Sequence, residues 1–196
     1  MIAIRGYSSE IAQALIDILP MDEAVVNVSR DDCNVTADRH LFCQGVLFGK
    51  PSTEYLESEI VACFQVNYIT VKLQCDWIFA ANPTARVCVI GSESAFSGSY
   101  DDLYAGSKML LHHYVTTKKL GPDQQLICIA PSIIGGCGMT TRRTDIENLV
   151  SRETSHPKKR FLTCDEVAQD IFHYLYVHAG YGTGVVVRLN GGSHTV

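Results

Sequence analysis

A tyrosine stands four residues before a lysine at three places in this 196-residue chain: Tyr68/Lys72, Tyr104/Lys108 and Tyr114/Lys118. On a helix that spacing sets a phenol and an ammonium on one face, where the cation can act on the acidity of the hydroxyl. Such a pair can give a proton to a carbonyl oxygen or take one from an alcohol. Tyr68 lies in CFQVNYITVKLQCDW, mid-helix between strands, where a tyrosine normally packs its ring and wets its hydroxyl. Tyr114 comes late on its helix, away from any strand end. Tyr104 opens its helix after a loop that follows VCVIGS, so Ser92 emerges at the end of a buried strand. Only Tyr104/Lys108 has a hydroxyl partner at such an edge, and it is the candidate acid–base pair.

Other chemistry-bearing residues say less. The run IRGYSSEIAQAL turns into a helix after Gly6, and a Gly with two Ser at a helix start offers N–H groups and hydroxyls to a phosphate. Gly and Ser also open helices that bind nothing. The eight cysteines (33, 43, 63, 75, 88, 128, 137 and 164) form no C-x-x-C pair, and most sit in apolar runs such as RVCVIG and LICIAP. Buried free thiols in a reducing compartment are expected. His112 and His113 are adjacent and cannot share a helix face. No H-x-x-x-H or H-E-x-x-H spacing occurs, so no metal site is expected.

The elements that must position these residues follow from texture. Short apolar runs rich in β-branched residues recur at 1–6, 24–29, 41–46, 86–92, 125–131 and 184–190. They are apolar throughout, as parallel strands covered on both faces must be. Helical candidates lie between them, at 8–19, 52–80, 102–120, 144–153 and 165–178. The last opens with Thr163 and Glu166 at capping-box spacing. Strand–helix alternation of this kind predicts an open α/β sheet, in which ligands bind beyond the carboxyl ends of the strands.

Composition bounds the reading. The length suits one domain, 1–196, without repeats or linkers. A net charge of −5 argues against a general nucleic-acid binder. No apolar run approaches the roughly 20 residues needed to span a bilayer, and MIAIRGYSS lacks a signal peptide's apolar core. A cytoplasmic location is expected.

Ser92 at a strand end, Y-A-G-S-K opening the next helix and CIAPSII at the next strand end resemble the short-chain dehydrogenase/reductase family. The resemblance runs along nearly the whole chain. IRGYSSEIA falls where that family has its T-G-x-x-x-G-x-G turn, LFCQG at its N-N-A-G strand, and FQVNYIT supplies Asn67. HPKKRFLTCDEVAQDIFHYL and GTGVVVRLNGG are similar to its last helix and last strand. The likeness implies a doubly wound Rossmann-like sheet of about six strands. It also implies a catalytic set of Tyr104, Lys108, Ser92 and Asn67. Tyr104 would exchange the proton, while Lys108 would favour the phenolate and hold the nicotinamide ribose. Ser92 would hold the substrate oxygen, and Asn67 would support a water relay toward Lys108. Ser94 is a rival for Ser92, because the loop before Tyr104 is shorter than the family's. The implied cofactor contacts are Gly6, Tyr7, Ser8, Ser9 and Ile11 at the turn, then Arg30, Gly45, Tyr104 and Lys108. Pro131, Ile133 and Ile134 complete them, with backbone groups against the nicotinamide carboxamide.

The chain also departs from that pattern. Glu10 and Ala12 replace the second and third glycines of the turn. Glu10 would repel a pyrophosphate unless it points to solvent, although an acid in the first turn suits the helix dipole. Gln44 replaces a small alanine and could crowd the cofactor. Between Arg30 and Leu41 lie only ten residues, DDCNVTADRH. A crossover helix alone needs roughly 10–12 residues, so an edge strand and its flanking helices should be missing. Ten extended residues reach about 33 Å, enough to return across the sheet, with Asn34-Val35 passing the adenine.

Ser29-Arg30 stands where NAD-preferring relatives place an acid, so NADP(H) is expected over NAD(H), with Asp31 and Asp32 able to offset the arginine. The expected function is an NADP(H)-dependent carbonyl reductase or alcohol dehydrogenase acting on a small molecule. A non-catalytic nucleotide-binding or scaffold protein is the alternative, and an epimerase or dehydratase a more distant one. The segment 138–160, where the family has its substrate lid, carries six cations that either favour an anionic substrate or form a solvated basic face. Val61, Phe64, Val66 and Ile69, with Leu110, Leu111, Tyr114 and Val115, make two helices apolar beyond one stripe. That predicts a homodimer or homotetramer.

Overall fold

Mostly apolar segments become the strands, and those in the middle of the sheet are buried along nearly their whole length. In the computed structural model, which describes residues 1–29, 32, 36–143, 146–178 and 180–193, a strand forms at each of the six expected places, the third shifted from 41–46 to Arg39–Phe42. The strands are β1 (Ile2–Arg5), β2 (Val25–Asn27), β3 (Arg39–Phe42), β4 (Arg86–Ile90), β5 (Gln125–Pro131) and β6 (Val185–Leu189). They pair in parallel throughout, in the order β2-β1-β3-β4-β5-β6.

Alternate residues of each strand feed opposite layers. Ile2, Ile4, Leu41, Ile127 and Ile129 meet α1 (Glu10–Ile18) and α8 (Cys164–Phe172), which pack on each other through Leu15, Val167 and Ile171. On the other face, Phe42, Val87, Val89 and Leu126 meet α3 (Thr70–Ala81) and α5 (Asp102–Thr117) through Val71, Ile78, Leu111 and Val115. The result is a Rossmann-like α/β sandwich.

The helix expected at 52–80 differs in detail. Ser52–Glu54 forms only a 3-10 turn, and α2 (Glu57–Phe64) starts where Glu59 Oε2 accepts the Leu56 N–H at 2.8 Å. A π-helical turn, Gln65–Ile69, joins α2 to α3, with the Thr70 N–H bonded to the Gln65 carbonyl. A second π turn, His173–Val177, extends α8. Two single-turn helices, α4 (Ser94–Ser97) and α6 (Gly138–Thr141), lie in segments read as loops, and α7 (Ile146–Ser155) follows α6.

The chain runs from β1 to β2 at one edge, then returns to β3 on the other side of β1. Among the described residues no strand lies beyond β2, so the expected edge strand is indeed missing. Arg30, Asp31, Cys33, Asn34 and Val35 lie outside the described residues. The reversal between β1 and β3 is a topological switch point, where the carboxyl ends diverge and leave a crevice.

Free thiols hold for Cys43, Cys63, Cys75, Cys88 and Cys128. The expectation fails for Cys137 and Cys164, whose sulfurs are bonded and tie the segment after β5 to the start of α8. Neither sits inside a strand run. Both lie at helix starts, where distant parts of the chain meet. Among the described residues no helix is long and apolar enough to cross a membrane, and no group of three or more His, Cys, Asp or Glu could hold a metal ion.

Candidate active site

The position of Tyr104 is set by the cap of its helix. Asp101, fully buried, accepts the Tyr104 N–H on Oδ1 at 2.9 Å and the Tyr55 hydroxyl on Oδ2. A capped start fixes which residues face the strand ends. Tyr104, Lys108 and His112 then share one face at four-residue spacing. Lys108 is 3% exposed and donates from Nζ to the Ile90 carbonyl at 2.8 Å. Its ammonium lies 5.8 Å from the Tyr104 ring centroid. Burial pulls Lys108 down to about 8.

Burial also pushes Tyr104 up to about 12, with a hydrogen bond from Ser92 acting the other way. Tyr104 therefore keeps its proton at neutral pH. His112, pulled down to about 4 by burial and then by the Lys108 charge, is neutral. Its Nε2 can therefore accept the Ser92 N–H, at 3.3 Å.

The two candidate serines are neighbours. Ser92 Oγ and Ser94 Oγ stand 2.7 Å apart, and Ser92 Oγ also accepts the Ser94 N–H at 3.2 Å. Asn67 sits fully buried in the π turn. Its amide exchanges two 2.9 Å hydrogen bonds with the Val46 backbone and donates to Ser107 Oγ at 3.1 Å. Ser107 in turn donates to the Tyr104 carbonyl at 2.7 Å. The side chain of Asn67 is thus spent on bracing α5 against the end of β3.

The other two tyrosine–lysine pairs converge on one carboxylate. Asp76 of α3 accepts from Lys72 at 2.7 Å, Lys118 at 2.5 Å and the Tyr114 hydroxyl at 2.9 Å. Tyr68 packs against the adjoining core. Both pairs belong to the seam between α3 and α5, away from the strand ends.

A cleft of about 660 Å³ opens at the switch point. It brings together Ser9, Ile11, Gly45, Ser92, Tyr104, Lys108, Pro131, Ile133 and Ile134 from the expected set, with Ser94 as well. Gly6, Tyr7, Ser8 and Asn67 do not line it. Gly6 acts from behind: at φ +75° a Cβ there would meet the Gln44 nitrogen at 2.5 Å, so only glycine lets the turn pack on the end of β3. Ser9 caps α1 by accepting the Ala12 N–H at 3.2 Å. Ile133 and Ile134 are held by Leu162, whose N–H bonds the Ile133 carbonyl at 3.2 Å.

No family model matches the sequence, and no curated protein does. Solved structures do match. A short-chain dehydrogenase/reductase described as a glucose/ribitol dehydrogenase, from Brucella melitensis, superposes with a TM-score of 0.82 at 18% identity, covering 100% of this chain and 96% of its own. A short-chain oxidoreductase from Burkholderia thailandensis gives 0.82 at 16%, covering 97% and 91%. A protein titled ribose-5-phosphate isomerase, from Brucella melitensis 16M, gives 0.85 at 18%, covering 98% and 92%. The chain has the short-chain dehydrogenase/reductase fold.

Within that fold, the cleft residues fit a nicotinamide dinucleotide. Gly45 leaves a floor in which an added Cβ would lie 3.2 Å from Met139 Cε and 3.9 Å from Lys108 Nζ. Lys108, with one N–H given to Ile90, retains donors for ribose hydroxyls. One residue fits less well. Glu10 is exposed, yet it reaches the cleft mouth: its Oε1 accepts the Gly138 N–H at 3.0 Å. Sequence reasoning missed His112 as the partner of Ser92, and no signal beyond its i+8 spacing from Tyr104 could have found it. It also missed Met139 and Thr140 of α6 as lining residues.

Proposed function

We propose that the chain is a member of the short-chain dehydrogenase/reductase family that reduces a small carbonyl compound, or oxidises the corresponding alcohol, with NADP(H), NAD(H) being the possible substitute. The observation that carries the reading is the convergence of Tyr104, Ser92 and Lys108 in one cleft at the sheet's switch point. The bound nicotinamide would exchange hydride with the substrate carbon. Ser92 would hold the substrate oxygen beside the Tyr104 hydroxyl. Tyr104, protonated at neutral pH, is suited to give its proton to that oxygen. The Lys108 ammonium would stabilise the resulting phenolate and hold the ribose. His112 and the Asp101 cap would fix Ser92 and Tyr104 in place.

Arg30 is our candidate for the 2′-phosphate of NADP(H); Arg30→Ala should narrow any preference for NADPH over NADH. We take the chain to be one domain over 1–196, a homodimer or homotetramer, and cytoplasmic.

The test sets Tyr104→Phe, Tyr68→Phe and Tyr114→Phe side by side with NADPH and a panel of activated ketones. Tyr104→Phe should lower turnover by about 10²–10⁴-fold with little change in NADPH affinity. The other two should keep normal rates and lose at most about 0.5–1.5 kcal/mol of stability. Wild-type rates in Tyr104→Phe would sink the catalytic reading. A second reading, a nucleotide-binding scaffold without efficient turnover, is favoured by Glu10 and Ala12 at the phosphate turn. Its signature is NADPH binding with no turnover of any ketone in the panel.

A further inference from the structure

Glu10 suits the dipole of α1 but is an unexpected group for a turn that is to hold a diphosphate. The N-terminal amides of a helix and its macrodipole attract an anion, and here the sequence itself provides one. The carboxylate does not simply cap its own helix. It reaches the Gly138 N–H at 3.0 Å, joining the turn after β1 to the segment after β5. An added Cβ at Gly138 would sit 3.1 Å from Glu10 Oε1 and 3.7 Å from Arg142 Nη2. Carboxylate and guanidinium therefore flank the same point. Ser9, Glu10 and Ile11 line the cleft on one side, with Met139 and Thr140 opposite.

We propose that Glu10 is a resident anion that sets the nucleotide affinity of this chain, competing with the cofactor's diphosphate for the mouth between the turn and α6. The inference rests on the nicotinamide-nucleotide reading above. A diphosphate lying against the α1 turn would draw on the same donor that Glu10 holds, the Gly138 amide. It would also bring like charge beside the carboxylate. Glu10 is exposed, so this repulsion acts through water and added salt weakens it. Nucleotide entry thus requires Glu10 to release Gly138. Removing the carboxylate should make binding tighter, the opposite of what loss of a binding residue does.

The experiment titrates wild type, Glu10→Gln and Glu10→Ala with NADPH by fluorescence, at low and high ionic strength. Amide exchange over 138–141 is measured in parallel without nucleotide. Both variants should bind NADPH more tightly, on the order of tenfold at low salt, with the gap narrowing as salt rises. Amide exchange at Gly138 should quicken in Glu10→Ala. Wild-type binding with no gain in either variant would defeat this inference and leave the nucleotide reading standing. So would weaker binding in Glu10→Ala with Glu10→Gln at the wild-type level, which would make the contact a latch that helps retain the cofactor. Unchanged exchange at Gly138 counts against the contact itself. Binding by the variants alone would support the inference. No binding by any of the three proteins would defeat the nucleotide reading and the inference together.

Discussion

Lys108 shows how a site residue can oppose the fold that holds it. Its ammonium is buried, with one hydrogen bond to a carbonyl, and burial pulls it from 10.5 to about 8. The unfolded chain therefore binds more protons than the folded one between about 8 and 10.5, and stability should rise with pH across that window. Below about 8 the cost of the buried charge is felt in full. Lys108→Met keeps the stem and removes the charge. It should raise stability at pH 7 by about 1–3 kcal/mol and abolish the rise above pH 8. Denaturant melts of both proteins at several pH values would check this, and a less stable variant at neutral pH would refute it. The same substitution should lose turnover and weaken NADPH binding, because the ammonium is assigned both duties. For wild type, reductive turnover should decline as pH rises through about 8, where Lys108 gives up its charge while Tyr104, at about 12, still holds its proton.

Between elements, one carboxylate separates the structural tyrosine–lysine pairs from the chemical one. Asp76 on α3 takes up Lys72, Lys118 and Tyr114, pinning α3 to α5. Although burial opposes ionisation of Asp76, hydrogen bonds from Lys118 and Lys72 hold its carboxyl below the usual range. Asp76→Ala should cost about 1–3 kcal/mol of stability, since it leaves a hydroxyl and two cations without their shared acceptor. NADPH affinity should not change, and thermal melts beside a binding titration would read both. A loss of NADPH binding at full stability would place the seam in the site after all. The sequence discloses the three pairs and the strand end that favours Tyr104. It does not disclose Asp76 as their arbiter, because the deciding bonds join residues 38 and 42 positions apart. The central strands were legible because burial on both faces leaves them mostly apolar, and the shortened edge because ten residues cannot contain a further strand with its helices. The Glu10–Gly138 contact was not legible. It spans 128 positions and depends on how close two helix starts come to rest. The π turn at Asn67 was hidden for a related reason: its i→i−5 bond leaves the apolar periodicity of the helix almost unchanged.

At the scale of the whole molecule, the sheet covers its own two faces but the helices over one of them are not themselves covered. Val61, Ile69, Leu73 and Trp77 run along the outer side of α2 and α3, and Met109 and Leu110 stand exposed on the neighbouring α5. Trp77 is 48% and Met109 56% exposed. Leu111, Tyr114 and Val115, which the sequence groups with these, instead turn inward to the core. The outward residues are therefore surplus to what the core needs. A contiguous apolar strip across two adjacent helices marks a surface that gains by pairing, whereas single exposed apolar residues do not. A two-fold axis beside this strip would set the helix pair of one copy against the same pair of another, burying each residue against its counterpart and using one surface twice. The expected state at micromolar concentration is a dimer, or a tetramer if a second surface also pairs, and light scattering reads it directly. Trp77→Glu with Leu110→Glu places charges where the two copies would meet, and desolvating unpaired carboxylates there should drive the protein to monomer. Because both residues point away from the cleft, the monomer should retain its fold and its NADPH binding. A wild-type monomer would remove the case for pairing. Wild-type assembly that survives both substitutions would move the interface to another face.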